Sequence, residues 1–278
     1  REEKKRLKMK NGRRKSFYVF LVIFLCAIAF GVGYTVKLWQ GKKSYEDIAK
    51  EAHVTESATP TPEETAEPTP ESTAVPEKKA EEETEKPEIP IDFASLQAEN
   101  PEIYAWIQIP DTEIDYPVVQ RVGDDLYYLN HTVEGTEGLP GSIYTETQTS
   151  ADFSDYNTVI YGHKMKNGTM FGTLTQYADP EYMAAHPEIY IYTPEHIFTY
   201  EVFAAVTYDN RHILNSFDFS GAEGRRAYLD SLRSVRNFST HFRDDVQVGT
   251  DDRILTLSTC NGKDDQRFLL EAVLKNEQ

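Results

Sequence analysis

The hydrophobicity pattern begins with an uncharged, apolar run from Phe17 to Val36, FYVFLVIFLCAIAFGVGYTV. As a helix this run would be about 30 Å long, which matches the hydrocarbon thickness of a bilayer. The lysines and arginines before it favour a cytoplasmic N-terminus. We therefore predict a cytoplasmic basic tail at 1–16, a transmembrane anchor at 17–36 and an extracellular remainder. A cleaved signal peptide is the alternative, but it would have a shorter apolar region and a small-residue cleavage site, for which there is no convincing match.

The chain then becomes polar. Residues 51–90 hold seven of the 14 prolines, together with many glutamates and threonines and almost no large apolar residues. Such a segment buries too little surface to offset the entropy that is lost on ordering it. We therefore predict an acidic, disordered linker over residues 37–90, which acts as a self-repelling, semi-extended spacer.

Residues 91–278 show a third pattern, in which short apolar runs are separated by turn residues. Asp92 is placed to cap a helix that ends near Glu99. Eight runs have the length of strands: Ala105–Ile109, Tyr116–Val119, Ser142–Thr145, Thr158–Tyr161, Tyr190–Tyr192, Phe198–Tyr208, Arg253–Ser258 and Phe268–Leu274. Helical patterns occur at Met170–Tyr177, Pro180–Ala185 and Ala222–Val235. The domain is therefore predicted to be mainly β, a largely antiparallel barrel or sandwich with a few inserted helices.

Composition excludes several classes of function. The net charge is −17, and residues 91–278 carry 13 basic against 30 acidic residues, which argues against nucleic-acid binding. Two cysteines exclude a disulfide scaffold and a cysteine-rich zinc module. No dinucleotide-binding, P-loop, zinc-protease or EF-hand pattern occurs, so we expect no cofactor and no metal.

Three residues of this domain could form a cysteine-based acyl-transfer site. Cys260 ends an apolar strand before a polar loop, His163 follows the strand at 158–161, and Arg267 opens the last strand. A side chain at the end of a strand is held by the sheet and remains open to a substrate. The three would supply a nucleophile, a proton carrier and a stabiliser of the oxyanion. Each also has a structural alternative: a buried cysteine, a surface histidine, or an arginine paired with a neighbouring aspartate.

The segments around these residues resemble the sortase family and, within it, class B. The similarity lies in NTVIYGH at 157–163, NGTMF at 167–171, TLSTC at 256–260, the strand segments at 106–120 and 141–144, and the helical insertion at Ala222–Val235. The resemblance covers about residues 91–278. It implies a closed eight-stranded sortase-type β-barrel with several inserted helices, preceded by the transmembrane helix and the linker.

The resemblance also assigns roles to individual residues. It implies that Cys260 is the nucleophile, His163 the acid and base, and Arg267 the stabiliser of the substrate and the oxyanion. It further implies a set of substrate-binding residues: Asp115, Val119, Tyr161, Ser258 and Thr259. The interval of seven between Cys260 and Arg267 is shorter than in many class B members. The shorter interval bears on the contacts expected of the loop between them. It bears less on the assignment of Arg267, because no other arginine follows the cysteine.

The function implied by the resemblance is that of a membrane-anchored cysteine transpeptidase on the surface of a Gram-positive bacterium. Such an enzyme would cleave an N-P-x-T-x sorting motif after the threonine, hold the surface protein as a thioacyl intermediate and join it to a peptide amine of peptidoglycan or its precursor. A cysteine endopeptidase activity, which belongs to the hydrolase class, would accompany it. The alternatives are a housekeeping or pilin-type sortase that reads L-P-x-T-G-like motifs, and a non-enzymatic anchored surface-binding module. A papain-type hydrolase fits less well, because in that family the cysteine precedes the histidine, whereas here His163 precedes Cys260.

Overall fold

The computed structural model describes residues 2–53 and 87–278. The helices are α1 Glu2–Ala52, α2 Phe93–Glu99, α3 Tyr127–Asn130, α4 Pro180–Ala185, α5 Ile213–Ser216 and α6 Ala222–Ser234, with a 3₁₀ helix at Leu174–Ala178. The strands are β1 Ile103–Gln108, β2 Asp115–Val119, β3 Ile143–Tyr144, β4 Asn157–Tyr161, β5 Glu188–Tyr192, β6 Ile197–Asp209, β7 His241–Phe242, β8 Ile254–Cys260 and β9 Gln266–Glu277. All eight predicted strands are present, and the two-residue strand β7 is an addition.

Eight of these strands close into a barrel. Hydrogen-bonded neighbours follow the order β5-β1-β2-β3-β4-β8-β9-β6, and β6 pairs again with β5. The pairs β2–β3 and β4–β8 are parallel, whereas the other pairs of the ring are antiparallel. Strand β7 pairs with β6 outside the ring. The closed eight-stranded barrel is therefore confirmed, with a mixed sheet and no free edge within the ring.

Two apolar clusters hold the domain together. Trp106 and Phe198 are fully buried and belong to the cluster that includes the barrel interior. The second cluster contains Tyr228, Leu229 and Leu232 of α6, which pack on the outer wall of the barrel. Burial of each of these leucines contributes about 2 kcal/mol, so packing rather than intrinsic propensity holds this helix in place. The predicted helix at this position is confirmed to within a residue.

The shorter helices agree with the predictions in two cases and differ in one. The Asp92 carboxylate accepts a hydrogen bond from Ser95 N at 3.0 Å, which confirms it as the N-cap of α2. Helix α4 has its predicted bounds. The helix predicted at 170–177 is instead a turn that leads into the 3₁₀ helix, because Met170 has a φ of 54°, outside the right-handed helical region.

The segment directly after the apolar run differs from its prediction as a linker. Helix α1 continues to Ala52, and both Tyr45 and Ala52 are buried against the domain. Tyr45, Ile48 and Ala52 recur at helical spacing and form an apolar stripe. The acidic and polar residues between them concealed this stripe in the sequence.

The described residues contain one helix, Phe20–Ala52, that is long and apolar enough to cross a membrane. This feature suits the predicted anchor at 17–36, and a signal sequence near an N-terminus would share it. The remainder of the predicted linker, 54–86, lies outside the described residues. His53 and Ile91, which are described residues on either side of that segment, form a β-bridge.

A buried carboxyl group links β9, β8 and α6. Glu271 is fully buried; its Oε1 accepts from the Tyr228 hydroxyl at 2.7 Å, and its Oε2 lies 2.9 Å from Thr256 Oγ1. Thr256 Oγ1 also lies 2.9 Å from Asn157 Oδ1. One hydroxyl proton cannot serve both oxygens, and a protonated Glu271 resolves this by donating to the threonine. Consistent with this, burial raises the pKa of Glu271 to about 7.

Replacing Glu271 by glutamine is expected to stabilise the protein above neutral pH. The folded state keeps the carboxyl proton up to about pH 7, whereas the unfolded chain releases it near pH 4.5, so stability falls as pH rises between these values. Over this pH range the free energy of unfolding falls by about 3 kcal/mol in total. Chemical unfolding of the detergent-solubilised chain should therefore show a flatter pH dependence for Glu271→Gln. Glu223→Gln changes an exposed glutamate of α6 and should keep the wild-type slope. Equal slopes in all three proteins would contradict the prediction.

Candidate active site

The thiol of Cys260 is exposed at the end of a buried strand. Residues 254–259 of β8 are buried, whereas Cys260 is exposed. Strands β8 and β9 are antiparallel, and Cys260 stands directly opposite Arg267. Opposed residues of an antiparallel pair project from the same face with their Cβ atoms about 5 Å apart. The β8–β9 hairpin therefore places Cys260 and Arg267 side by side, which accounts for the interval of seven residues between them.

His163 reaches the same position from the neighbouring strand. Strand β4 is parallel to β8, with Tyr161 opposite Ser258, and Gly162 N donates to Ser258 O at 3.2 Å. Continuing this register by two residues sets His163 level with Cys260. His163, just past the end of β4, therefore lies in one row with Cys260 of β8 and Arg267 of β9, and all three line one groove. We call this row the catalytic row, after the roles that the sequence predicts for its members.

A backbone carbonyl orients the histidine ring. His163 Nε2–H donates to Leu129 O at 2.7 Å, since a carbonyl oxygen can only accept. This bond assigns the Nε2–H tautomer to the neutral ring and leaves Nδ1 as the nitrogen that can take a proton. Gly141 packs against both groups with a φ of +68°, and a Cβ there would lie 2.7 Å from Leu129 O and 3.1 Å from His163 Cδ2. Glycine is therefore required at this contact.

The guanidinium group of Arg267 is available to a ligand. Its Nη1 donates to Gln266 O at 3.0 Å. Among the described residues, no ion pair joins it to Asp264 or Asp265, the pairing considered as an alternative from the sequence. Its remaining N–H groups can therefore donate to a substrate carbonyl oxygen or to an oxyanion.

The catalytic row opens into a groove with a volume of about 250 Å³. Three of the predicted substrate-binding residues line it: Tyr161, Ser258 and Thr259. Leu126, Leu129, Tyr144, Glu146 and the turn at 209–213 complete the walls. The groove combines apolar side chains with several polar and charged groups, and such a combination suits an extended peptide.

The structure does not bring Asp115 and Val119 to this groove, which corrects that part of the prediction. Val119 is fully buried in the core. Asp115 lies at the start of β2, where its carboxylate accepts from Trp106 Nε1 at 2.7 Å and lies 2.9 Å from His53 Nε2. These contacts place Asp115 beside the end of α1. A motif match identifies the strand that carries a residue, but the strand's position in the barrel decides which surface the residue reaches.

Sequence analysis missed a close contact between a histidine and a glutamate in the groove. Glu146 is buried, and its Oε2 lies 2.7 Å from Nε2 of His212, the residue that caps α5. Burial, and then the Glu146 carboxylate, raise the pKa of Tyr161 well above its usual value, so this phenol stays protonated. No spacing in the sequence indicates a contact between a histidine and a glutamate this far apart.

Comparison with known proteins identifies the family. Residues 107–275 match the family model of the sortase domain. This range contains all three residues of the catalytic row. The chain belongs to the sortase family. Sortase B of Listeria monocytogenes is 35% identical to this sortase over 180 residues, which cover 64% of this chain and 70% of the relative. Sortase B of Staphylococcus aureus is 30% identical over 169 residues, which cover 60% of this chain and 67% of the relative.

Solved class B sortases share the fold of this sortase. The Staphylococcus aureus sortase B–substrate complex matches with a TM-score of 0.58 and 28% identity, over 66% of this chain and 84% of that chain. Bacillus anthracis sortase B in complex with AAEK1 matches with a TM-score of 0.59 and 31% identity, over 69% and 88%. The resemblance to class B is therefore confirmed, and with it the family's chemistry, that of a cysteine transpeptidase.

Proposed function

We propose that this sortase works on the outer surface of a Gram-positive cell, where it cleaves an N-P-x-T-x sorting motif after the threonine and joins the surface protein to a cell-wall amine. The observation that carries this proposal is the catalytic row at the floor of a groove. It sets an exposed thiol between a histidine and a guanidinium group that forms no ion pair with the described residues. These are the groups that acyl transfer through a thioester requires.

The first half of the reaction forms the thioester. Cys260 gives its proton to His163 Nδ1, and its sulfur attacks the threonine carbonyl carbon. Arg267 donates to the oxyanion that develops. The C–N bond then breaks, His163 returns the proton to the leaving amine, and the acyl group remains on the cysteine sulfur.

The second half transfers the acyl group. The acceptor amine attacks the thioester and loses a proton to His163, the C–S bond breaks, and the proton returns to the cysteine sulfur. Because Leu129 holds the ring through Nε2, the same Nδ1 carries the proton in both halves. Attack by water in place of the amine gives hydrolysis, so we propose endopeptidase activity as the side reaction.

Similar proteins support the two substrates. A Staphylococcus aureus sortase B has been solved as a substrate complex, and another structure is described as sortase B complexed with triglycine. These relatives favour a sorting-motif substrate and an amine acceptor for this chain. Membership of class B favours N-P-x-T-x over L-P-x-T-G, and the latter remains the second candidate.

The first helix supports the proposed location. Its apolar side chains between Phe20 and Val36 are largely exposed, and eight lysines and arginines between residues 4 and 15 precede them. Insertion of these side chains in a bilayer would bury them, and the positive charge would keep the N-terminus in the cytoplasm. The catalytic domain would then lie outside the cell.

The experiment that tests the proposal is intact-mass measurement of the detergent-solubilised chain after incubation with N-P-x-T-x or L-P-x-T-G peptides. We expect an adduct equal to the part of the N-P-x-T-x peptide that ends at threonine, mapped to Cys260 and released by hydroxylamine. An L-P-x-T-G adduct alone would favour a housekeeping or pilin-type specificity. Tight binding of either peptide without an adduct would favour the non-enzymatic binding module.

A further inference from the structure

Helix α1 docks on the loop at 133–142, which we call the support loop. Lys37, Gly41 and Tyr45 are four residues apart and share one face of the helix. Lys37 Nζ donates to Glu137 O at 3.3 Å. At Gly41 the helix approaches so closely that a Cβ would lie 2.8 Å from Pro140 Cδ. The helix and the support loop are therefore in direct contact over about two turns.

Tyr45 is the buried centre of this contact. Only 3% of its surface is exposed. Its hydroxyl donates to Gly141 O at 2.7 Å, lies 3.2 Å from Ser142 Oγ and accepts from Val133 N at 3.3 Å. One phenol therefore joins the beginning of the support loop to its end.

The end of the support loop lies against the group that orients the catalytic histidine. Gly141 fits between Leu129 O and the His163 ring with no room for a Cβ. Ser142 N donates to Tyr128 O at 3.0 Å, so the loop is also bonded to the residue before Leu129. A shift of the Gly141 peptide would therefore move the acceptor of the His163 Nε2–H bond.

We propose that Tyr45 is a positioning residue for His163, and that the helix that anchors the chain also orients the proton carrier. The inference rests on the role of His163 in the proposed function. The Tyr45 hydroxyl holds the Gly141 peptide, the Gly141 peptide sets the Leu129 carbonyl, and this carbonyl holds the ring. The active site is then complete only while the second half of α1 is docked on the barrel.

The test replaces Tyr45 by phenylalanine in the full chain in detergent, which keeps the ring and removes the hydroxyl. We expect kcat to fall about tenfold with KM unchanged within about twofold, because misplacement of a catalytic group by a fraction of an ångström impairs transfer more than binding. Tyr177→Phe is the matched control. It removes a hydroxyl that donates to His186 O at 2.9 Å on a side chain that is equally buried, and it should lower thermal stability without lowering kcat.

A second pair of variants tests the docking itself. Gly41→Leu should separate the helix from Pro140 and lower kcat at least as much as Tyr45→Phe. Gly33→Leu adds the same side chain to the same helix, where a Cβ would have no other atom within 4 Å, and should leave kcat unchanged. The proposal is overturned if Tyr45→Phe and Gly41→Leu both keep wild-type kcat, or if Tyr177→Phe and Gly33→Leu lower it equally.

The pH dependence of Cys260 alkylation by iodoacetamide separates this inference from the proposed function. The measurement uses a Cys26→Ser background, in which Cys260 is the remaining thiol of the two in the sequence. Because the rate of alkylation depends on the groups that surround the thiol, Tyr45→Phe, which displaces the His163 ring, should alter this profile and Tyr177→Phe should not. A changed profile in a protein that acylates no peptide would uphold the positioning role and reject the proposed function. Normal turnover with an unchanged profile would reject the positioning role alone.

Discussion

Cys260→Ala is expected to abolish turnover of sorting peptides and to leave the fold intact. Alanine removes the sulfur that would carry the acyl group, and loss of a nucleophile lowers kcat by about 10⁴-fold or more. The side chain is exposed at the end of β8, so the free energy of unfolding should change by less than about 0.5 kcal/mol. Peptide cleavage and thermal unfolding of the same preparation check the two expectations.

The control for this variant is the other cysteine of the sequence, Cys26, which lies in the apolar run of α1. Cys26→Ala should cleave and transfer peptides at the wild-type rate. Turnover that survives Cys260→Ala would rule out the thioester mechanism. Equal losses in both variants would point to damage of the protein rather than to loss of a nucleophile.

His163→Gln is expected to lower kcat by about 10² to 10⁴-fold, the usual contribution of a positioned acid and base. Glutamine can still donate an N–H to Leu129 O in place of the His163 ring, but its amide cannot take up and return a proton as an imidazole does. In the proposed mechanism both halves of the reaction need this proton transfer. Rapid-mixing measurements should therefore show slower formation of the thioester and slower attack by an added amine.

His186→Gln is the matched control. Nδ1 of His186 lies 2.9 Å from Tyr182 O, so this histidine also contacts a backbone carbonyl, but it lies outside the groove. Its replacement should leave both rates within about twofold of wild type, as is usual for a group that takes no part in the chemistry. A His163→Gln chain with both rates intact would remove this residue from the mechanism and leave another base to be found.

Several parts of the fold could be predicted because they depend on residues near one another in the sequence. Short apolar runs and turn residues located the eight strands of the barrel, and the Asp92 cap and the helical pattern of α6 located two helices. The helix predicted at 170–177 failed on one local dihedral angle, that of Met170. Positive φ at a methionine has no signature in composition or periodicity, so this error could not be avoided from the sequence.

The candidate site, too, could be predicted only in part from the sequence. Cys260 and Arg267 are joined by a short hairpin, so their spacing already indicates that they are neighbours. His163 joins them only through the parallel pairing of β4 with β8, and recognition of the motif identified it where spacing could not. Glu146 and His212 meet across the groove without any motif, and they were missed.

The sequence by itself determined the apolar segment at 17–36, the strands and the three candidate catalytic residues, because local periodicity and short motifs carry that information. Only the tertiary structure decided that Asp115 and Val119 lie away from the groove, and that the second half of α1 is part of the domain. Those outcomes depend on which surfaces meet when the barrel closes. A polar stretch with a buried tyrosine at its centre gives no local sign of the surface that will cover it.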